Sequence, residues 1–181
     1  MKKAAKIPSP YKSLWDIPIK DLKGTEYPTF QDYFKTQNPP KPIPKFAMVI
    51  NVASKCGLTR GHYTQLVELH NQFRNRGFEV LGFPCNQFLF QEPGSPEDIE
   101  KFACEIYKAE FPLFEKCKVN GEDAHEVFKF LKEKANLNRI EWNFGKFLVD
   151  QNGQLIKYVG SRTEPNTIKG ELEELINAKT L

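Results

Sequence analysis

The first half of the chain has two short apolar runs separated by a segment with apolar residues at helical spacing. Residues 46–53 form an apolar run rich in β-branched side chains, which predicts a buried strand. Residues 60–76 carry an amphipathic helical stripe, and Gly77 ends the predicted helix. Residues 78–83 predict a second buried strand. This order of elements indicates a parallel βαβ unit with a right-handed crossover.

The second half predicts three helices and a hairpin, namely helices over 96–108, near 122–135 and from about 164, and strands over 146–150 and 154–159. Ser95 is a suitable N-cap for the first of these helices, and Pro96 suits its first position. Asn152-Gly153 is a strong hairpin signal. The elements together predict an α/β fold with a central mixed sheet flanked by helices on both faces.

Length and composition favour one compact domain, because the chain has 181 residues of which 40% are hydrophobic. We assign this domain to residues 13–181 and a flexible arm to residues 1–12. Residues 35–45 contain four prolines and predict a stiff, proline-rich surface excursion. The PxxP pattern in this segment leaves docking of a partner as the alternative interpretation.

Charge and hydropathy narrow the class of protein. A formal net charge of +3 is too small to indicate a nucleic-acid partner, although it favours an anionic substrate or surface. No apolar run approaches the ~20 residues of a membrane span. Residues 1–16 are basic and lack the apolar stretch of a secretory signal. We therefore expect a cytoplasmic protein whose cysteines are thiols at rest unless their chemistry is redox, with targeting to an organelle as the alternative.

Cys56 is the first candidate for chemistry, because it follows the first buried strand and precedes a helix. Open α/β sheets place their sites at that edge. The free N–H groups of a helix start favour an anionic sulfur, and Lys55 and Arg60 add positive charge. These features predict a partly exposed nucleophilic thiolate. A buried structural cysteine is the alternative.

Cys104 is the second candidate. In a helix over 96–108, the side chains of Ile99, Phe102, Ala103 and Ile106 share one face. Cys104 points about 150° away from them on the same helical spacing, toward the polar side. Cysteine is normally among the most buried residue types, so an exposed one suggests a reactive partner for another thiol. A tolerated surface cysteine is the alternative.

The remaining cysteines and the histidines suggest no metal site. Cys85 has apolar neighbours and is interpreted as a packing residue, while Cys117 is interpreted as structural or incidental. The chain contains no CxxC pair, which argues against structural zinc. The histidines have no metal-ligand spacing, so we expect neither a metal nor a cofactor.

Gln91, Trp142 and Asn143 are candidate neutral donors. Attack by sulfur on a peroxide requires a stabilised thiolate and a proton for the departing oxygen. Amide and indole N–H groups supply hydrogen bonds for this purpose without adding a charge. Considered without other information, Trp142 is better interpreted as an ordinary core residue.

Several contiguous motifs resemble the glutathione peroxidases, specifically their short, non-selenium, thioredoxin-dependent type. The matching stretches are NVASKCGLT (51–59), FPCNQF (83–88), QEPGS (91–95), KAEFPLFEK (108–116), VNGEDAH (119–125) and WNFGKFLVD (142–150). The resemblance runs from about Ser13 to the C-terminus. It implies a thioredoxin-like fold and peroxidase activity.

The resemblance also implies a role for each candidate. Cys56 is the peroxidatic residue, Gln91, Trp142 and Asn143 are its donors, and Cys104 is the resolving cysteine. In the implied cycle, a Cys56 sulfenic acid condenses with Cys104 and thioredoxin reduces the disulfide. Since the two cysteines start far apart in this family, residues 86–110 are expected to form a unit of low stability.

The short connection over 133–141 resembles that of monomeric family members, whose open site admits lipid hydroperoxides as well as hydrogen peroxide. We therefore expect a monomer and a transient contact with lipid surfaces. The family usually has Gly after NQF, whereas this chain has Leu89 and Phe90, which either narrow the site or form a lipid-facing patch.

Two other functions remain open. Glutathione is the alternative reductant, although the presence of Cys104 argues against it because glutathione resolves a sulfenic acid without a second protein thiol. A peroxide sensor that passes its disulfide to a partner protein would use the same residues.

Overall fold

The computed structural model describes residues 7–178. Its strands are β1 (Ile19–Lys20), β2 (Glu26–Tyr27), β3 (Phe46–Val52), β4 (Phe78–Pro84), β5 (Lys146–Asp150) and β6 (Leu155–Val159). Its α-helices are α1 (Phe30–Lys35), α2 (Thr59–Phe73), α3 (Pro96–Lys101), α4 (Glu126–Lys134) and α5 (Lys169–Ala178). A π-helical turn (Phe102–Ile106) follows α3, and 3₁₀ turns occur at Leu14–Asp16, Arg74–Arg76 and Pro165–Ile168.

The main sheet has the strand order β4-β3-β5-β6. Strands β3 and β4 are parallel, in register from the pair Phe46 and Phe78 to the pair Val52 and Pro84. Strand β5 is antiparallel to both β3 and β6. The predicted mixed sheet and late hairpin are confirmed.

Strand β3 is buried along its whole length because both faces of the sheet are covered. Ala47 and Val49 belong to a core cluster with α1 and α4. Met48 and Ile50, which point to the opposite face, belong to a second cluster with α2 and α5. This two-sided burial explains why the strand is a continuous apolar run instead of an alternating one.

The largest difference from the predicted elements lies in the helix expected over 96–108. The α-helix ends at Lys101 and continues as the π-helical turn. A π turn holds an extra residue and therefore rotates the side chains that follow it. Ile106, predicted on the apolar face, is consequently 63% exposed. The short elements β1, β2 and α1 were not predicted from the sequence.

The described part of the predicted arm and the proline-rich excursion both lie on the surface of the described chain. Within the arm 1–12, residues 1–6 lie outside the described residues. The Ser9 N–H donates to Glu133, and the Lys12 carbonyl accepts from Gln154. Most of residues 35–45 are exposed, although Pro44 is buried. No helix within residues 7–178 has the length and apolar character required to cross a membrane.

Candidate active site

Three chain segments meet at one edge of the main sheet. The carboxyl ends of β3 and β4 lie side by side there, since these strands are parallel. Strand β5 is antiparallel to β3, so its first residue, Lys146, pairs with Ile50 near the same edge. Cys56 follows β3, Gln91 follows β4, and Trp142-Asn143 precede β5. The topology therefore brings four of the five predicted residues to one edge, where open α/β sheets place their sites.

Cys56 lies in a tight turn before α2 and is half-buried. Its backbone N–H donates to the Thr59 hydroxyl at 3.1 Å, and that hydroxyl donates to the Ala53 carbonyl at 2.7 Å. The Leu58 N–H donates to the Cys56 sulfur at 3.4 Å. The sulfur therefore faces an N–H at the start of a 15-residue helix, where partial positive charge stabilises an anion.

Gln91 connects the Cys56 turn to Asn143. The Lys55 N–H donates to the Gln91 backbone carbonyl at 3.0 Å. The Asn143 side-chain amide donates to the side-chain oxygen of Gln91 at 2.8 Å. Because that oxygen is occupied by Asn143, the amide nitrogen of Gln91 is the end that has hydrogens to donate to a reacting group.

The segment with Trp142 and Asn143 is held by Asn51, a fully buried residue of β3. The Asn51 amide donates to the Trp142 carbonyl at 3.1 Å, and its side-chain oxygen accepts from the Gly145 N–H at 2.9 Å. Its backbone carbonyl accepts from the Phe144 N–H at 2.7 Å. A Cβ at Gly145 would lie 3.2 Å from that Asn51 side-chain oxygen, so a larger residue would require Asn51 to shift by a few tenths of an ångström.

The Trp142 ring packs against Phe88, with ring centroids 5.7 Å apart. Trp142 and Leu58 also line an open cavity of about 570 Å³, together with residues 160–163. The indole is therefore half-buried between the core and the cavity that adjoins the Cys56 turn.

Glu92 is a buried carboxyl at the same edge and has no exposed surface. The Ser54 N–H and hydroxyl both donate to its Oε1 atom. The Oε2 atom is buried without a hydrogen-bond partner among residues 7–178. Burial raises the pKa of Glu92 to about 7, and the Ser54 hydrogen bonds and the charges of Lys116 and Lys55 oppose this shift.

Cys104 does not join the other four residues. It is exposed, as the helical spacing predicts, and its sulfur faces the Ala109 carbonyl at 3.6 Å. It lines a second cavity, of about 560 Å³, that shares no lining residue with the first. Burial raises the pKa of Cys104, and Glu100 and Glu105 raise it further, while Lys23 opposes them.

The other two cysteines line neither cavity. Cys85 is fully buried, in agreement with its interpretation as a packing residue, and Cys117 is partly buried against the same core cluster. Burial raises the pKa of both thiols, which makes them poor nucleophiles at neutral pH.

Sequence reasoning missed three residues that build this edge, namely Asn51, Glu92 and Lys146. Asn51 and Lys146 lie within otherwise apolar strands and are buried. A buried polar side chain requires hydrogen-bond partners, so a polar residue inside an apolar run is itself a signal of a nearby turn that it holds. Glu92 lies within the QEPGS motif, where the sequence provides no sign of its burial.

Comparisons with solved structures identify the fold. A thioredoxin domain of a thiol-disulfide oxidoreductase from Bacteroides vulgatus superposes with a TM-score of 0.58 at 17% identity, covering 96% of this chain and all of the other. The crystal structure of T. cruzi GPX1 gives a TM-score of 0.68 at 30% identity, covering 92% of this chain and 97% of the other. The protein therefore has a thioredoxin-like fold, as predicted.

Comparisons of sequence then identify the family. Residues 16–132 match the glutathione peroxidase family. The chain is 45% identical over 168 residues to probable glutathione peroxidase 5 of Arabidopsis thaliana, covering 91% of each chain. It is 47% identical over 137 residues to a chloroplastic phospholipid hydroperoxide glutathione peroxidase of Pisum sativum, covering 74% of this chain and 58% of the other. The chain belongs to the glutathione peroxidase family and is a peroxidase, so the predicted family and enzyme class are confirmed.

Proposed function

We propose that this peroxidase reduces hydroperoxides through Cys56, with Cys104 as the resolving thiol and thioredoxin as the reductant. The Cys56 thiolate attacks one peroxide oxygen, so that an S–O bond forms and the O–O bond breaks. The departing oxygen takes a proton and leaves as water or an alcohol. Cys104 then attacks the sulfenic sulfur, forming the disulfide and releasing water. The dithiol of thioredoxin reduces this disulfide and is itself oxidised.

The convergence of four residues at one sheet edge is the observation that carries the proposal. The Cys56 sulfur has an N–H donor at 3.4 Å, and the next segment presents the amide of Gln91, which is held by Asn143. These neutral donors suit a reaction in which negative charge passes from sulfur to oxygen, because none of them traps either anion.

The environment of Cys104 supports a resolving role that requires local opening. Cys104 lines a different cavity from Trp142 and lies in the π-helical turn after α3, so we expect it to move before a disulfide forms. Opening also removes the burial that raises the Cys104 pKa, which makes the thiol more nucleophilic when it is released.

Two substitutions test the cycle in a peroxidase assay coupled to thioredoxin, thioredoxin reductase and NADPH. Cys56→Ser is expected to lower turnover by at least about 10³-fold, since it removes the nucleophile. Cys104→Ser is expected to consume one equivalent of peroxide and then stop. Normal cycling of Cys104→Ser with thioredoxin would refute the two-cysteine mechanism. Cys117→Ser serves as the control and is expected to cycle normally.

The reductant is tested by replacing the thioredoxin system with glutathione and glutathione reductase. We expect NADPH consumption to be faster with thioredoxin. Faster consumption with glutathione would assign the alternative reductant. Slow turnover with both systems, together with a mixed disulfide between Cys104→Ser and another protein, would assign the sensor role.

Leu89 and Phe90 support a transient contact with lipid surfaces and with bulky lipid hydroperoxides. Their side chains are 72% and 78% exposed, directly before Gln91. Their backbone φ angles are 52° and 55°, a left-handed conformation that costs a non-glycine residue about 1 kcal/mol or more. The chain therefore presents two large apolar side chains beside the site without gaining packing from them.

We also propose a cytoplasmic monomer. The short 133–141 connection, which resembles that of monomeric family members, supports the oligomeric state. Relatives include proteins named as mitochondrial and chloroplastic, so organelle fractionation decides the compartment. Light scattering of the purified protein decides the oligomeric state.

A further inference from the structure

Lys146 is a buried cation at the edge of the sheet, with 1% of its surface exposed. Among residues 7–178 no carboxylate forms an ion pair with it. Burial without an opposite charge lowers the pKa of Lys146 to about 7. A buried charge of this kind is costly, and an apolar side chain of similar size would often be more stabilising at such a position. Its presence therefore calls for a role in the site.

The three hydrogens of the Lys146 ammonium match three acceptors from three different segments. Nζ donates to the Phe144 carbonyl at 2.6 Å and to the Gly160 carbonyl at 3.0 Å. It also contacts His62 Nε2 at 3.3 Å. Phe144 follows Asn143 directly, and Gly160 lines the cavity beside Trp142. One side chain thus joins the segment before β5, the cavity wall and helix α2.

His62 extends this connection to the Cys56 turn. Its Nδ1 lies 3.1 Å from the Leu58 carbonyl, which accepts only, so Nδ1 carries the hydrogen. Nε2 is then the acceptor for Lys146. Burial and the charge of Lys146 lower the pKa of His62, which keeps the ring neutral in this arrangement. The ring is further fixed against Phe144, with ring centroids 4.8 Å apart.

We propose that Lys146 is a positioning residue of the site. Its ammonium fixes the segment that carries Asn143 and, through His62, fixes Leu58, whose N–H faces the Cys56 sulfur. The proposal rests on the proposed function in that Cys56 is the reacting thiol. It does not depend on the peroxide, the resolving thiol or the reductant. Besides His62, two charged residues, Glu141 and Arg162, line the adjoining cavity with Leu58.

The first test compares Lys146→Met with the wild-type chain. Reaction of Cys56 with iodoacetamide is followed by peptide mass spectrometry from pH 5 to 9. We expect Lys146→Met to slow this reaction about tenfold at pH 7, the effect of one weakened hydrogen bond to a charged acceptor. The pH profile is expected to move to higher pH. A merely structural role would reduce the amount of folded protein without moving the profile.

Lys157→Met is the matched control, because Lys157 is a lysine of the same sheet that pairs with Glu171 on α5. We expect its rate and profile to stay within twofold of the wild type. If Lys146→Met folds and also behaves in this way, the proposal is overturned. Since alkylation requires no peroxide, this result is distinguishable from a failure of the proposed peroxidase cycle.

His62→Phe provides a second test that does not depend on the folding of Lys146→Met. This substitution leaves both carbonyl contacts of Lys146 in place and removes the connection to Leu58. We expect it to slow Cys56 alkylation severalfold, and an unchanged rate would overturn the proposal. In a double-mutant cycle, the double variant is expected to be no slower than Lys146→Met alone. Additive effects would mean that Lys146 does not act through His62.

Discussion

The two candidate redox cysteines lie in regions that are stabilised in different ways. The Cys56 edge is held by directional hydrogen bonds, such as those of Asn51 and the pair Gln91 and Asn143. The Cys104 turn is held mainly by aromatic packing of Tyr63 against Phe102 and Tyr107. Hydrogen bonds fix angles and distances, whereas packing is non-directional and is released and regained as a unit. The first arrangement suits a sulfur that must be aligned, and the second suits a sulfur that must move.

Among substitutions that leave both cysteines in place, the largest expected effect follows from removing a hydrogen-bonding residue of the Cys56 edge. Asn51→Ala leaves the Gly145 N–H without its partner and leaves the Trp142 carbonyl with the Ser161 hydroxyl as its remaining donor. We expect kcat/KM for hydrogen peroxide to fall about 100-fold, because buried unpaired groups cost ~1–3 kcal/mol each and the segment shifts. Stopped-flow oxidation of Cys56 measures this directly.

Asn120→Ala is the control for Asn51→Ala. Asn120 also holds a backbone segment, through the N–H and carbonyl of Ile140, but its contacts end before Trp142. We expect a similar loss of unfolding free energy with kcat/KM within about threefold of the wild type. Equal losses of activity in both variants would show that the Cys56 edge has no special dependence on its hydrogen bonds.

Glu92 accepts hydrogen bonds from Ser54 near the Cys56 turn, and its charge acts on Tyr63, which packs against Tyr107 of the Cys104 region. We expect its titration to link the two regions. We call the structure with Glu92 buried the closed state, in which its pKa is raised from 4.5 to about 7, and a structure with this carboxyl exposed to solvent the open state. Between these pH values Glu92 therefore binds more protons in the closed state than in the open state. The closed state therefore loses stability as pH rises from about 4.5 to 7, by up to about 3 kcal/mol. Glu92→Gln is expected to remove this pH dependence from urea unfolding and from the rate of disulfide formation.

Glu79→Gln is the matched control, since Glu79 is a buried carboxyl of β4 that pairs with His70 away from the site. It is expected to keep the wild-type pH dependence of disulfide formation. Parallel pH profiles for the wild type and Glu92→Gln would exclude a link through Glu92.

Weakening the packing of the Cys104 turn should act in the opposite direction from Asn51→Ala. Tyr107→Ala removes a ring stacked 5.0 Å from Tyr63, a contact worth ~0.5–1.5 kcal/mol. We expect disulfide formation to become up to about tenfold faster, with Cys56 oxidation within twofold of the wild type. Ile106→Ser, at an exposed neighbour, should change neither rate. Slower disulfide formation in Tyr107→Ala would mean that the packed turn is the reactive form.

The smallest effect on catalysis with hydrogen peroxide is expected for Leu89→Gly combined with Phe90→Gly. Glycine suits the left-handed conformation at both positions, so the fold should be retained or slightly stabilised. We expect unchanged activity with hydrogen peroxide and severalfold lower activity with phosphatidylcholine hydroperoxide in vesicles. Ile106→Ser again serves as the control for loss of an exposed apolar side chain. Equal activity with both substrates would exclude the lipid contact.

The sequence predicted the elements of this fold that have a simple local pattern of apolar residues or a characteristic turn. Strands β3 and β4, helix α2 and the late hairpin follow from apolar runs, helical spacing and an Asn-Gly turn. Sequence spacing also identified Cys104 as exposed. Its helix was nevertheless predicted as regular throughout, because helical spacing does not reveal a π turn, and the side-chain direction of Ile106 was therefore wrong.

Other features depend on tertiary contacts that no local pattern contains. The connection from Lys146 through His62 to Leu58 joins residues 84 positions apart at its longest step. The burial of Glu92 depends on Ser54, 38 positions earlier in the chain. Motif resemblance predicted the reacting residues, but only the structure reveals the side chains that hold them in place.

The ends of the stretch that we propose to unwind around Cys104 are anchored to the body of the protein. On one side the Lys116 amine donates to the Gly94 carbonyl at 2.7 Å, and on the other the Phe114 N–H donates to the Gly82 carbonyl at 2.8 Å. An unwound stretch tethered at both ends keeps its thiol at an effective concentration on the order of millimolar near its target. Such a tether favours a disulfide between Cys104 and Cys56 of the same molecule over a disulfide between two molecules, even where the protein is crowded.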